Sequence, residues 1–118
     1  MRKGIIFRND YERHSKQSQT IINYEALTGI LLERFGLLNK IDIWSQSFDI
    51  KNKGAFYYGD EIPAIILNKY FMTKDNKIDM IETICHEVSH AIQYDMKGYT
   101  DHDDLFLTIY KAINPKNV

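Results

Sequence analysis

His86-Glu87-Val88-Ser89-His90 sets two imidazoles four residues apart, with a carboxylate directly after the first. On a helix this spacing stacks both histidines on one face, one turn apart, where they can reach a single cation. Glu87 projects roughly 100° round the helix from His86, so it can touch a water on that cation without ligating it. This is the HExxH arrangement, whose chemistry is metal-assisted hydrolysis: the imidazoles hold zinc and the glutamate serves as base. With four histidines and six glutamates in 118 residues, chance alone produces the pattern roughly once in a hundred such chains. The surrounding sequence must therefore decide.

A tetrahedral catalytic zinc takes three protein ligands and leaves one position open for water. His102 supplies a third imidazole, so three of the four histidines fall within seventeen residues. The fourth, His14, has no such partner and reads as a surface residue. Asp101, Asp103 and Asp104 flank His102, and one of them is an alternative third ligand. Their other reading is charge at a helix start, or an acceptor that orients a ligating imidazole. Tyr57, Tyr58, Tyr94, Tyr99 and Tyr110 are candidate donors to a developing oxyanion, each equally readable as a packing aromatic.

The elements that must hold these groups follow from periodicity. Residues 76–97 predict a helix, with Ile78, Ile81, Cys85, Val88 and Ile92 as its apolar stripe. Thr73 or Asp75 is placed to cap its start, and Gly98 to end it in a left-handed cap. His86 and His90 lie off the stripe, beside Asp79, Glu82, Thr83 and Gln93. A second helix is expected from Thr100, which would cap it with Asp103 closing a capping box and His102 in the first turn. Leu105, Phe106, Ile109, Tyr110 and Ile113 give it an apolar side, and Pro115 ends it. Upstream, residues 16–35 predict a helix with Ile21, Tyr24, Leu27 or Thr28, Leu31 and Phe35 inward and Gly36 at its end. Three strands are expected at residues 40–48, 55–58 and 61–68, the first two joined through a turn at Asn52-Lys53-Gly54. Gly59-Asp60 reads as a tight hairpin between the second and third. Asn68 ends the last strand and caps a turn. Residues 4–7, within an arm at 1–15, read as a short strand or an ordered extension. The expected fold is α+β: an N-terminal helix, a three-stranded mainly antiparallel sheet, the HExxH helix and a ligand-bearing helix after it.

His102-Asp103-Asp104-Leu105-Phe106, following HExxH within twenty residues, resembles the His-Asp-x-x-Phe form found in SprT-like metallopeptidases and the related WLM proteins. Ile65-Ile66-Leu67-Asn68-Lys69-Tyr70-Phe71 is similar to the strand ending in Leu-Asn that precedes their active-site helix. The likeness spans about residues 20 to 113. It departs from the SprT form in carrying Asp103 where that form has glycine, and no cysteine-rich zinc ribbon follows. The resemblance implies a small zincin core and one zinc per chain on His86, His90 and His102, with Glu87 as general base and then acid. It also implies a protein or peptide substrate, in some members a protein attached to DNA. Two other readings carry different expectations. One is an ImmA/IrrE-type peptidase acting on a regulator. The other is a non-hydrolytic, zinc-bearing component of a larger assembly such as a virion.

Composition is consistent with one small domain over residues 1–118. The chain is 44% hydrophobic, with a single cysteine and a net charge of −1. No apolar run reaches the length of a membrane span or a signal-peptide core, which predicts a cytoplasmic protein with no membrane partner. A lone cysteine forms no internal disulfide and offers no cysteine metal site. Residues 1–40 carry seven basic and four acidic groups, and residues 79–118 three basic and seven acidic. The near-neutral total predicts no direct nucleic-acid binding without a partner, while the acidic half suits a cation. The Ile-, Lys- and Asn-rich composition would suit a phage or mobile element.

Overall fold

The computed structural model describes residues 19–48, 50–59 and 62–114. His14, the arm at residues 1–15, Asp60 of the expected hairpin and Pro115 lie outside them. Within the described residues the order is α1 (Gln19–Arg34), β1 (Asp42–Gln46), β2 (Gly54–Tyr57), β3 (Ala64–Asn68), α2 (Lys77–Lys97) and α3 (Asp104–Ile113). The architecture is α+β, as the periodicity requires.

α1 ends at Gly36, whose positive φ of 72° is the left-handed geometry that glycine adopts without a Cβ penalty. Its buried face is Tyr24, Glu25, Thr28, Leu31 and Leu32, while Phe35, expected inward, is 44% exposed. Glu25 is wholly buried and accepts a 2.6 Å hydrogen bond from the Ser45 hydroxyl, tying α1 to β1. The Tyr24 hydroxyl donates to the Thr73 carbonyl at 2.6 Å, which fixes α1 against the approach to α2.

The sheet is mixed, with strand order β1-β3-β2. β3 runs antiparallel to β2, as a hairpin demands, but parallel to β1. This corrects the mainly antiparallel expectation. All five residues of β3 are buried, whereas β2 is only half-buried. Burial of the apolar run Ala64-Ile65-Ile66-Leu67 is greatest between two strands, so β3 takes the centre and β2 becomes an edge. Turn chemistry, which acts only between chain neighbours, carries no information about that insertion.

The helices close over the sheet, with α2 touching β2, β3, α1 and α3. Leu32, Ile43, Ile65, Leu67, Met80, Ile84 and Val88 are all wholly buried between them. α2 begins through a 3-10 turn at Lys74–Asn76, with no side-chain cap from Thr73 or Asn76. At its other end Gly98 takes φ 79° and donates to the Tyr94 carbonyl at 2.8 Å, the left-handed cap read from the sequence. No helix among the described residues is long and apolar enough to cross a membrane.

Candidate metal centre

Because α2 buries Ile84, Cys85, Val88 and Ile92, its rotation about its own axis is set, and His86 and His90 are left half-buried on the outer side. The chain turns back after Gly98 and brings His102 onto the same spot. The three Nε2 atoms lie 3.2 Å (His86 to His90), 3.1 Å (His90 to His102) and 3.2 Å (His86 to His102) apart. A tetrahedral zinc with Zn–N bonds of about 2.0–2.1 Å holds its ligand nitrogens roughly 3.3–3.4 Å apart, so this triangle fits the ion. Three imidazole nitrogens pointing at one another at this range suit a shared cation better than a hydrogen-bonded cluster. His86, His90 and His102 are the one group of three or more potential ligand side chains that converge in this way among the described residues.

α3 begins later than the sequence suggests. Asp103, not Thr100, is its N-cap, its carboxylate accepting from the Phe106 N–H at 3.0 Å. His102 therefore sits in the loop ahead of α3 rather than in its first turn. The Phe106 amide bond holds the Asp103 carboxyl below the usual carboxylate range. Asp101 accepts from the Asp103 N–H at 3.1 Å, and Asp104 is exposed. Phe106, 2% exposed, lies under the cluster with its ring 5.0, 4.5 and 4.9 Å from those of His86, His90 and His102. The His-Asp-x-x-Phe pattern thus has a physical content: an imidazole, the cap that starts the helix, and the floor on which all three imidazoles rest.

Glu87 is 7% exposed and accepts no hydrogen bond from any described residue. Burial raises its carboxyl from 4.5 to about 7. Desolvation lowers His90 to about 4, with the charges of His86 and His102 acting in the same direction. His86 shifts downward too, by burial and then by the charge of His102. Neutral imidazole is the ligating form, so burial prepares these groups for a metal. A cleft of about 370 Å³ opens beside them, lined by Lys51, Lys53, Gly54, Glu82, His86, Glu87 and Tyr110 among others. Its far wall is held by the buried Asn68, whose side chain donates to the Asn52 carbonyl at 2.8 Å and accepts from the Tyr70 N–H at 3.1 Å. Asn68 ends its strand and caps a turn, as expected.

Several contributors were not visible as such in the sequence. Gly54 lets the start of β2 close on α2, since a Cβ there would meet Thr83 Cγ2 at 2.7 Å and Glu87 Cγ at 3.3 Å. Phe56 lays its ring nearly parallel to His90 with centroids 6.4 Å apart. Gln93, read as part of a polar face, is wholly buried and bonds to Thr100, Asp101 and Asp103. Its signal was positional: a polar residue three places after His90, beneath the loop that returns the third histidine. Of the five tyrosines, Tyr110 borders the cleft, 5.9 Å from His86 ring to ring. Tyr58 and Tyr94 pack on each other at 4.7 Å, and Tyr57 and Tyr99 are exposed.

Fold and site together define a zinc-metallopeptidase-like domain whose histidine cluster is compatible with a metal. The chain belongs to the SprT-like family, whose model matches residues 33–117. No curated protein and no solved structure matches it.

Proposed function

We propose that this protein is a zinc-dependent peptidase that hydrolyses peptide bonds in a protein or extended peptide. The observation that carries the reading is the triangle of three Nε2 atoms at 3.1–3.2 Å beside a buried, unengaged carboxyl. His86, His90 and His102 would hold one zinc. Bound there, zinc supplies Lewis acidity, polarising a carbonyl and bringing the pKa of water towards ~7. Glu87 accepts a proton from the attacking water and returns it to the leaving amide nitrogen. Burial, which raises this carboxyl in the metal-free protein, favours its holding the proton between the two transfers. Tyr110, on the cleft border, is the best-placed tyrosine to donate to the carbonyl oxygen as charge develops.

Substrate binding follows from the edge position of β2. Among the described residues β2 pairs with β3 alone. A peptide adding to its other edge would run past Gly54 and Phe56, beside the histidines, and satisfy its own backbone groups in doing so. Nucleic acid would be reached only through a partner or through the substrate itself. The test is zinc content by elemental analysis of protein purified without chelator, followed by hydrolysis of a degenerate peptide library with and without Glu87→Gln. One zinc per chain and cleavage lost in the variant support the reading. A wild type that takes up no zinc at micromolar concentrations, or cleavage that survives Glu87→Gln, overturns it.

A further inference from the structure

Hydrogen-bond chemistry around His90 determines which of its nitrogens carries a proton. Gln93 Nε2 lies 2.7 Å from Asp103 Oδ1. An ionised carboxylate only accepts, so the amide nitrogen of Gln93 must face it. Gln93 Oε1 then faces the Asp101 N–H at 3.0 Å and the Thr100 hydroxyl at 2.6 Å, and the backbone donor independently requires that orientation. A carbonyl oxygen cannot donate, so the single hydroxyl proton of Thr100 is committed to Gln93. Towards His90 Nδ1, at 2.7 Å, Thr100 therefore presents a lone pair. Nδ1 must carry the proton, and the neutral ring keeps its lone pair on Nε2, the atom that faces His86 and His102.

We infer that Gln93 and Thr100 form a positioning relay: Gln93 aims the Thr100 hydroxyl, and Thr100 fixes the tautomer of His90 that can ligate a metal. The same glutamine clamps Thr100, Asp101 and Asp103 to α2, so it also sets the loop that delivers His102. Tautomer and third ligand are thereby governed by one buried side chain. The relay rests on the zinc-peptidase reading for its purpose but not for its existence, because its bonds are made within the protein.

The test uses the full chain and reads the relay in two ways. Long-range proton–nitrogen NMR of the metal-free wild type at neutral pH reports which His90 nitrogen is protonated. The expected result is Nδ1–H, with Nε2 bare. Zinc affinity, by competition against a chromophoric chelator, is then compared for Thr100→Val and Thr100→Ser. The valine variant keeps the shape without the hydroxyl and is expected to lose about 10–100-fold in affinity, as loss of an outer partner of a metal ligand does. The serine variant keeps the hydroxyl and should stay within about threefold of the wild type, because the relay acts through that hydroxyl alone. A wild-type His90 protonated at Nε2, a valine variant that binds as tightly as the wild type, or a serine variant that falls as far as valine would each overturn the relay. Should the wild type bind no zinc, the peptidase reading falls while the tautomer measurement still decides the relay.

Discussion

Replacing Glu87 with glutamine should make the metal-free protein more stable while removing its activity. Glu87 is buried without a hydrogen-bond partner among the described residues, and burial moves its carboxyl from 4.5 to about 7. The pKa is raised in the folded state, so the carboxyl costs nothing below pH 4.5, where both states hold the proton. As pH rises through that value the unfolded chain ionises first, and folding stability is lost until the folded carboxyl also ionises near pH 7. At about 1.4 kcal/mol per pH unit the gap is worth roughly 3 kcal/mol by pH 8 and under about 1 kcal/mol at pH 5. Glutamine carries no such penalty. His90, pushed down to about 4, destabilises the metal-free fold on the acid side. It does so in both proteins, so the difference between them isolates position 87. Thermal unfolding after chelation should put Glu87→Gln above the wild type by roughly 10 °C at pH 8, with most of that gap closed at pH 5. With zinc bound the cation favours the carboxylate, and the gap should narrow. Peptide cleavage by the zinc-loaded variant should fall at least about 100-fold. A stability difference that does not change between pH 5 and pH 8, or a wild type that is the more stable at pH 8, would refute the reasoning.

Other perturbations reach the site from different sides. His102→Ala should weaken zinc binding by more than about 100-fold, exceeding the loss of an outer partner, with the circular dichroism of the fold retained. Gly54→Ala drives a methyl against Thr83 and Glu87; it should cost about 1–3 kcal/mol in urea unfolding and lower kcat with zinc content unchanged. Asp103→Ala removes the cap of α3 and the carboxylate that orients Gln93, and should lower stability by about 1–2 kcal/mol together with zinc affinity. Tyr110→Phe should reduce kcat by about 10²-fold or more with KM little changed; unchanged kcat would assign Tyr110 to packing alone.

Much of the site was legible in the chain because its signals are local. HExxH owes its geometry to helix pitch alone, so His86, Glu87 and His90 keep the same relative placement wherever the helix packs. The stripe of Cys85, Val88 and Ile92 sets which side of α2 faces the core, and the Gly98 cap follows from one residue's freedom at positive φ. The α+β order, the end of α1 at Gly36 and the role of Asn68 came from signals of the same range. So did the resemblance carried by His102 to Phe106.

What local pattern could not decide was any relation between residues distant in the chain. Insertion of β3 between β1 and β2 is a competition for burial across the whole sheet, and it makes β2 the edge beside the histidines. The start of α3 shifted from Thr100 to Asp103 because Thr100 is drawn away by Gln93 and His90, partners on another helix. Gly54 looked like a turn residue until β2 was brought against Glu87. The burial that lifts the Glu87 carboxyl to about 7 belongs to the packed molecule and not to its neighbours in sequence. Residue types and helical spacing therefore determine what chemistry is on offer here. Tertiary packing decides the 3.1–3.2 Å convergence of the three nitrogens and the protonation states around it, because desolvation and hydrogen-bond pairing exist only once distant segments meet.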